Sequence, residues 1–309
     1  CIGRGLSAIS AKDGNNDFLF YALRYNIENL KKQGNGTTYD SVNKDIVENM
    51  EMIIPNQENI KIKVAKLLRN IDDKIENNNK INAELEAMAK TIYDYWFLQF
   101  EFPNEEGKPY KSSGGKMVWN EELKREIPEG WEVETIGEIT ICHDSKRIPL
   151  SSKERELKNG DIPYYGATGI MDYVNEPLFD GDYVLIAEDG SIMDEKGHPI
   201  LQRINGKVWI NNHAHVLEPC KQHSCKLLMM LLKDISVMQI KTGSIQMKIN
   251  QENLNKIKIP KIPENLIEEI NKYLVDIEKV ILNNQKQNQE LTSIRDFLLP
   301  LLMNGQVGF

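Results

Sequence analysis

The chain carries one stretch of itself twice. Residues 68–85 and 274–291 align at an offset of 206, with identities at Leu68/Leu274, Ile71/Ile277, Ile75/Ile281, Asn77/Asn283, Asn78/Asn284, Lys80/Lys286, Asn82/Asn288, Glu84/Glu290 and Leu85/Leu291. Nine matches in 18 positions exceed what a shared apolar rhythm supplies. Fainter parallels lie upstream: Gly36 and Thr37 with Gly243 and Ser244, Asn43 with Asn250, and Pro55 with Pro263. The repeat unit is therefore a globular part, a glycine-bearing turn, a proline and a long helix. The second copy reads as complete. The first retains only the end of its globular part, residues 1 to about 54.

Both copies end in a helix with a seam. Ile60, Val64, Leu67, Ile71, Ile75, Asn78, Leu85, Met88 and Ile92 mark the first, and Leu266, Ile270, Leu274, Ile277, Ile281, Asn284, Leu291, Ile294 and Leu298 the second. Steps of three and four are the a/d spacing of a coiled coil. A helix of about 40 residues would be roughly 60 Å long, and such a stripe is not stable exposed to water. Each helix could cover its stripe with its own globular domain. The asparagines favour pairing of the two helices. Asn78 and Asn284 sit near the two midpoints, midpoints meet in an antiparallel pair, and a buried Asn layer fixes register at a cost in stability.

Composition narrows the classes. In a chain of 309 residues with formal net charge −8, a uniformly basic coat for nucleic acid is excluded, though a local basic face is not. No apolar run approaches the length of a membrane span. Four cysteines do not make a disulfide framework, and a reducing cytoplasm is the expected compartment. The chain opens on Cys1 with no signal-peptide layout, as if starting within a domain. No phosphate-binding loop, dinucleotide turn or amino-methyltransferase tetrapeptide is present, so no catalytic residue is assigned. Cys220, His223 and Cys225, or Cys142 and His143, are too loosely spaced for a structural zinc site, and no metal is expected.

Residues 101–126 are rich in turn signals and read as a linker. Residues 127–262 alternate short apolar runs, such as 181–187 and 206–210, with Gly, Asp and Asn, the pattern of strands and tight turns. Leu227 to Ile240 reads as one helix. The fold class expected is α+β: a mixed α/β domain plus two long helices in an antiparallel coiled coil. Charge within the domain is uneven. Residues 127–198 hold 16 acidic and 6 basic side chains, and residues 199–262 hold 3 acidic and 10 basic. Lys241 and Lys248 flank Thr242, Ser244 and Gln246, placing phosphate charges beside base-reading groups. Lys146 and Arg147 form a second basic point. Tyr164, Tyr165 and Thr168 border a glycine turn suited to groove entry. For each, a solvated face is the plain alternative.

Three blocks carry a resemblance to a known family. Ile127 to Ile139, with Gly130 and Trp131, is one. The second runs from Ile162 to Gly169, through Glu188 to Ser191, to Asn211 and Val216. The third is the helix ending Phe297 to Gly305. These resemble the specificity subunit of type I restriction–modification systems, and Gly3 to Ile9, Thr37 to Pro55 and Tyr93 to Pro109 fit the end of a first recognition domain and a central spacer. The resemblance implies residues 1–54 as the remnant of a first target-recognition domain, 55–100 as the central spacer helix, 101–126 as a linker, 127–262 as the second target-recognition domain and 263–309 as the distal spacer helix. It implies a non-catalytic subunit that reads one half of a split site in double-stranded DNA. It also implies docked modification subunits that bind S-adenosylmethionine and methylate adenine, and restriction subunits that use ATP and Mg. One full recognition domain instead of two implies either a fragment, the favoured reading, or a chain that pairs with itself. The reading from another class is a coiled-coil scaffold without a DNA role.

Overall fold

The computed structural model describes residues 8–33, 44–243 and 247–307. The chain divides into two compact units, residues 1–85 with 280–309, and residues 86–279. Two long helices contribute to both. The central helix, Glu58–Tyr93, contains no Gly or Pro, opens on an acidic residue that complements its dipole, and passes into a π-helical turn at Asp94–Leu98. The distal helix, Glu264–Met303, starts directly after Pro263. Its end is closed by Gly305 at φ +66, with the Gln306 N–H on the Leu301 carbonyl, a left-handed cap that favours glycine. No helix among the described residues is long and apolar enough to cross a membrane.

In the first unit the two helices run antiparallel. Asn78 Nδ2 donates to Asn288 Oδ1 at 2.9 Å, and Asn284 Nδ2 donates to Asn82 Oδ1 at 2.9 Å. Four residues forward on one helix thus match four residues back on the other. The repeat offset carries Asn78 to Asn284 and Asn82 to Asn288, so each bond is the repeat-related copy of the other. Asn78 is fully buried and Asn284 nearly so. The two do not bond to one another, and Asn78 Oδ1 is buried without a partner. Further along, Arg295 donates to Asp72, which also accepts from the Tyr21 hydroxyl at 2.7 Å.

The seam departs from a strict heptad at matching points of both copies. Met88 and Ile294 are exposed, while the following residues, Ala89 and Arg295, are buried. A straight helix of 3.6 residues per turn drifts by about 20° per heptad against a 3.5-residue stripe, and both copies drift alike. The N-terminal residues close the first unit. Asn15 caps the helix Asn16–Tyr25, whose Phe18, Tyr21 and Ala22 pack on Val64, Leu68, Leu299 and Leu302.

The second unit is built on a six-stranded sheet in the order 140–142, 214–219, 179–187, 201–210, 162–165 and 170–174. Pairing is antiparallel except between Ile162–Tyr165 and Leu201–Ile210, which run parallel. Val184 and Ile186 join one core with the helix Cys225–Lys233, while Leu185 joins a second core with Ile204 and Val216. Burial on both faces explains why this strand reads as a continuous apolar run. The segment 225–240 is two helices, Cys225–Lys233 and Val237–Ile240, not one. Asp234 and Ser236 interrupt it, a pair that favours caps over helix interiors.

Residues 101–126, expected as a linker, fold into the second unit. Met117–Asn120 and Arg125–Pro128 form a hairpin across that boundary. Phe102 is buried, stacked between Tyr110 and Trp131. Phe100 sits at φ +60, a conformation costing a bulky residue about 1–2 kcal/mol. The residue is 2% exposed, and its ring lies edge-on to Trp131 with the Arg125 guanidinium 4.7 Å above it, which holds the backbone there.

Replacing both Asn78 and Asn284 by leucine should raise stability to urea by about 1 kcal/mol or more, since buried amides with an incomplete set of partners are exchanged for apolar side chains. The same variant should admit alternative helix registers, detectable as new disulfide cross-links between cysteine pairs placed off register. Unchanged stability together with unchanged cross-linking would show that the amides do not set the register.

Candidate nucleic-acid interface

Five segments of the second unit are linked: four that adjoin strand ends, 144–147, 166–169, 188–191 and 211–214, and the short hairpin that pairs Lys241–Thr242 with Lys248–Ile249. Hydrogen bonds join them in sequence. Arg147 donates to the carbonyl of Ala214 at 2.7 Å and to Glu188 Oε2 at 2.7 Å. The Ile249 N–H donates to the Glu188 carbonyl at 2.9 Å. Gln202 Nε2 donates to the carbonyls of Gly166 and Ala167 at 3.0 and 2.9 Å, which pins the glycine turn. The Asn211 N–H donates to the Tyr165 carbonyl at 3.1 Å.

His215 lies at the centre of this arrangement, 2% exposed. Its Nε2–H donates to the Ile249 carbonyl at 2.8 Å, and its Nδ1 faces Asp144 Oδ2 at 2.5 Å. A carbonyl on one nitrogen and a carboxylate on the other call for protons on both. Burial alone would lower the imidazole pKa, but the bond to Asp144, then Cys142 and the Ile249 carbonyl, push it up to about 10. Burial would raise the Asp144 carboxyl, and the His215 bond, with the Val216 N–H and Arg147, holds it below its usual range instead. Asp189 accepts from Lys248 at 3.2 Å and faces His213 Nδ1 at 2.6 Å. Arg147, His215 and Lys248 thus balance Asp144, Glu188 and Asp189, a neutral support beneath the loops.

The sequence-level candidates divide on this frame. Lys146 and Thr168 are exposed at loop tips, Thr242 is exposed on the hairpin, and Tyr165, Lys241 and Lys248 are half-buried. Ser244 and Gln246 lie outside the described residues. Arg147 is corrected from contact to support, because its guanidinium is held by Glu188, Asp144 and the Ala214 carbonyl. Tyr164 is corrected likewise. It is 1% exposed, its hydroxyl accepts the Leu150 N–H, and Arg155 covers its ring, leaving no face for a base. The basic count of residues 199–262 also overstates the free charge. Lys256, Lys258 and Lys261 pair with Glu252, Glu122 and Glu132. Arg203 is held by Glu278 and Asp182, and the buried Lys226 by Glu86. Ser191 and Asn212 are candidates that sequence reasoning misses. Both are exposed on the same loops, and short polar residues directly beside strand ends are their only signal.

Cys142, Asp144 and His215 bring potential ligand atoms within 4.8 Å of one another. Both His215 nitrogens are engaged in hydrogen bonds, so in this state the group is a polar bridge. His223 instead faces the carbonyls of Cys220 and Lys221.

Comparison with known proteins places the chain among relatives of one kind. The profile of the type I restriction modification DNA specificity domain matches residues 2–87 and 128–293, so both copies of the repeat are covered. The MjaIX specificity subunit of Methanocaldococcus jannaschii is 30% identical over 98% of this chain and 72% of its own length. The HindI specificity subunit of Haemophilus influenzae is 22% identical over 87% of this chain and 72% of its own. Among solved structures, the type I S subunit from M. genitalium superposes with TM-score 0.55 at 20% identity, covering 93% of this chain and 72% of that one, a likeness of fold.

The His215 bridge has a pH signature. The folded imidazole holds its proton to about pH 10, against 6.5 for the ordinary side chain. Its contribution is whole below pH 6.5 and is lost as pH rises toward 10. Stability to urea should fall across that window, and His215→Gln should flatten the fall. An equally steep decline in the variant would place the titration elsewhere.

Proposed function

Because this chain belongs to the family of type I restriction–modification DNA specificity subunits, we propose that the five joined segments around His215 read one half of a split site in double-stranded DNA. The chain is the non-catalytic specificity subunit of such a system. The observation that carries the reading is the convergence of exposed polar tips over a charge-balanced support. Lys146 and Lys241 supply phosphate contacts that position the domain, while Lys248, paired with Asp189, belongs to the support. Thr168, Thr242 and Asn212, together with Ser244 and Gln246, supply groups for base edges, and Tyr165 supplies an apolar surface. Arg147, Tyr164 and His215 hold the loops in place. The paired helices join this domain to modification subunits that bind S-adenosylmethionine and methylate adenine. Restriction subunits using ATP and Mg complete the assembly.

Phosphate and base readout separate experimentally. Lys241→Ala and Lys146→Ala should weaken binding about equally on all sequences and lower the slope of log affinity against log salt by about 0.9 for each phosphate no longer neutralised. Thr168→Val should instead relax the preference at one position of the site. Binding by the chain in complex with its modification subunit, measured by fluorescence anisotropy, reads both effects. Unaltered affinity and sequence preference in all three variants would refute the assignment and favour a scaffold role.

A further inference from the structure

A cleft of about 730 Å³ opens in the second unit, away from the segments assigned to DNA. Its floor is a row of three rings. Tyr110 stacks on Phe102 with centroids 4.7 Å apart and planes 18° apart, and Phe102 stacks on Trp131 at 5.3 Å and 21°. Its lining is acidic: Glu105 and Glu106 come from the loop after Phe102, and Glu269 from the start of the distal helix. Glu106 pairs with Lys108 at 2.8 Å. Glu105 and Glu269 have no cationic partner among the described residues, and the Trp131 indole N–H has no acceptor there. The Glu105 loop is closed by hydrogen bonds. Asn104 bridges to Lys108 through its backbone and its side chain, and Gly107 turns at φ +72.

We propose that this cleft docks an extended, arginine-bearing segment of a partner polypeptide. Each feature matches one part of such a segment. A flat aromatic row accepts proline rings or the faces of extended backbone, as aromatic grooves do for polyproline helices. The free indole N–H donates to a peptide carbonyl. The two unpartnered carboxylates, Glu105 and Glu269, accept guanidinium groups, which can also stack on the rings. The cleft volume lies within the range of ligand sites, roughly 300–1,000 Å³. An anionic ligand is disfavoured by three glutamates, and Glu264 in the first turn offsets the positive end of the distal helix. The assignment stands apart from the DNA reading, since none of its residues belongs to the loops around His215.

The test uses the full chain and a fluorescein-labelled peptide of alternating proline and arginine, with glutamine replacing arginine in a control peptide. The arginine peptide should bind saturably, and binding should weaken with salt. The double variant Glu105→Gln, Glu269→Gln should lose about tenfold or more in affinity, the loss expected for two charge-assisted hydrogen bonds. Both side chains lack folded-state partners, so the variant should melt and bind DNA as the native chain does. No saturable binding, equal binding of the glutamine peptide, or unchanged affinity in the double variant would each overturn the proposal.

Discussion

Three asparagine-to-asparagine hydrogen bonds join the helix pair, Asn78 to Asn288, Asn284 to Asn82 and Asn288 to Asn79, and the first two are the ones proposed to set its register. Apolar side chains alone would tolerate sliding by a heptad, because Val64, Leu68, Ile71 and their partners are alike in size and demand. On the proposed reading Asn78 and Asn284 remove that freedom, since a slip would bury their amides against hydrocarbon. The repeat offset maps one bond onto the other, so a single interaction, written twice in the sequence, serves both halves of the helix pair.

The second unit depends on a different principle. Its candidate recognition surface is made of loops, and loops need support that does not use up their exposed groups. A protonated His215 between Asp144 and the Ile249 carbonyl supplies it, with Arg147 bridging Glu188 and the Ala214 carbonyl. Three cations against three carboxylates leave little net field from the support. Phosphate attraction is then left, on the proposed reading, to Lys146 and Lys241, which pair with no carboxylate among the described residues.

Much of this is legible in the sequence, because long helices announce themselves by period and the repeat fixes their equivalence. The midpoint asparagines are readable too, but not their partners. Asn82 and Asn288 lie four residues away, and only the antiparallel stagger selects them. The boundary drawn at 126 falls inside the Met117–Pro128 hairpin, because turn-rich composition does not distinguish a linker from a segment packed through Phe102 and Tyr110. Arg147 and Tyr164 mislead for a related reason. Charge and aromaticity are visible in a sequence, whereas partners such as Glu188 and the Leu150 N–H are supplied by the fold. The lysines after Ile240 read as a basic patch, yet Lys258 and Lys261 meet Glu122 and Glu132, which stand far away along the chain.

The central claim is that the loops around His215 choose the DNA sequence. The direct measurement is a methylome. The chain is expressed with the modification subunit from its own source, and methylated adenines are mapped by long-read sequencing, for the native chain and for a Thr168→Val, Asn212→Ala variant. A split motif for the native chain, with one half altered or relaxed in the variant, is the predicted result. An identical motif in both would contradict the account, as would the absence of methylation from a native complex that assembles.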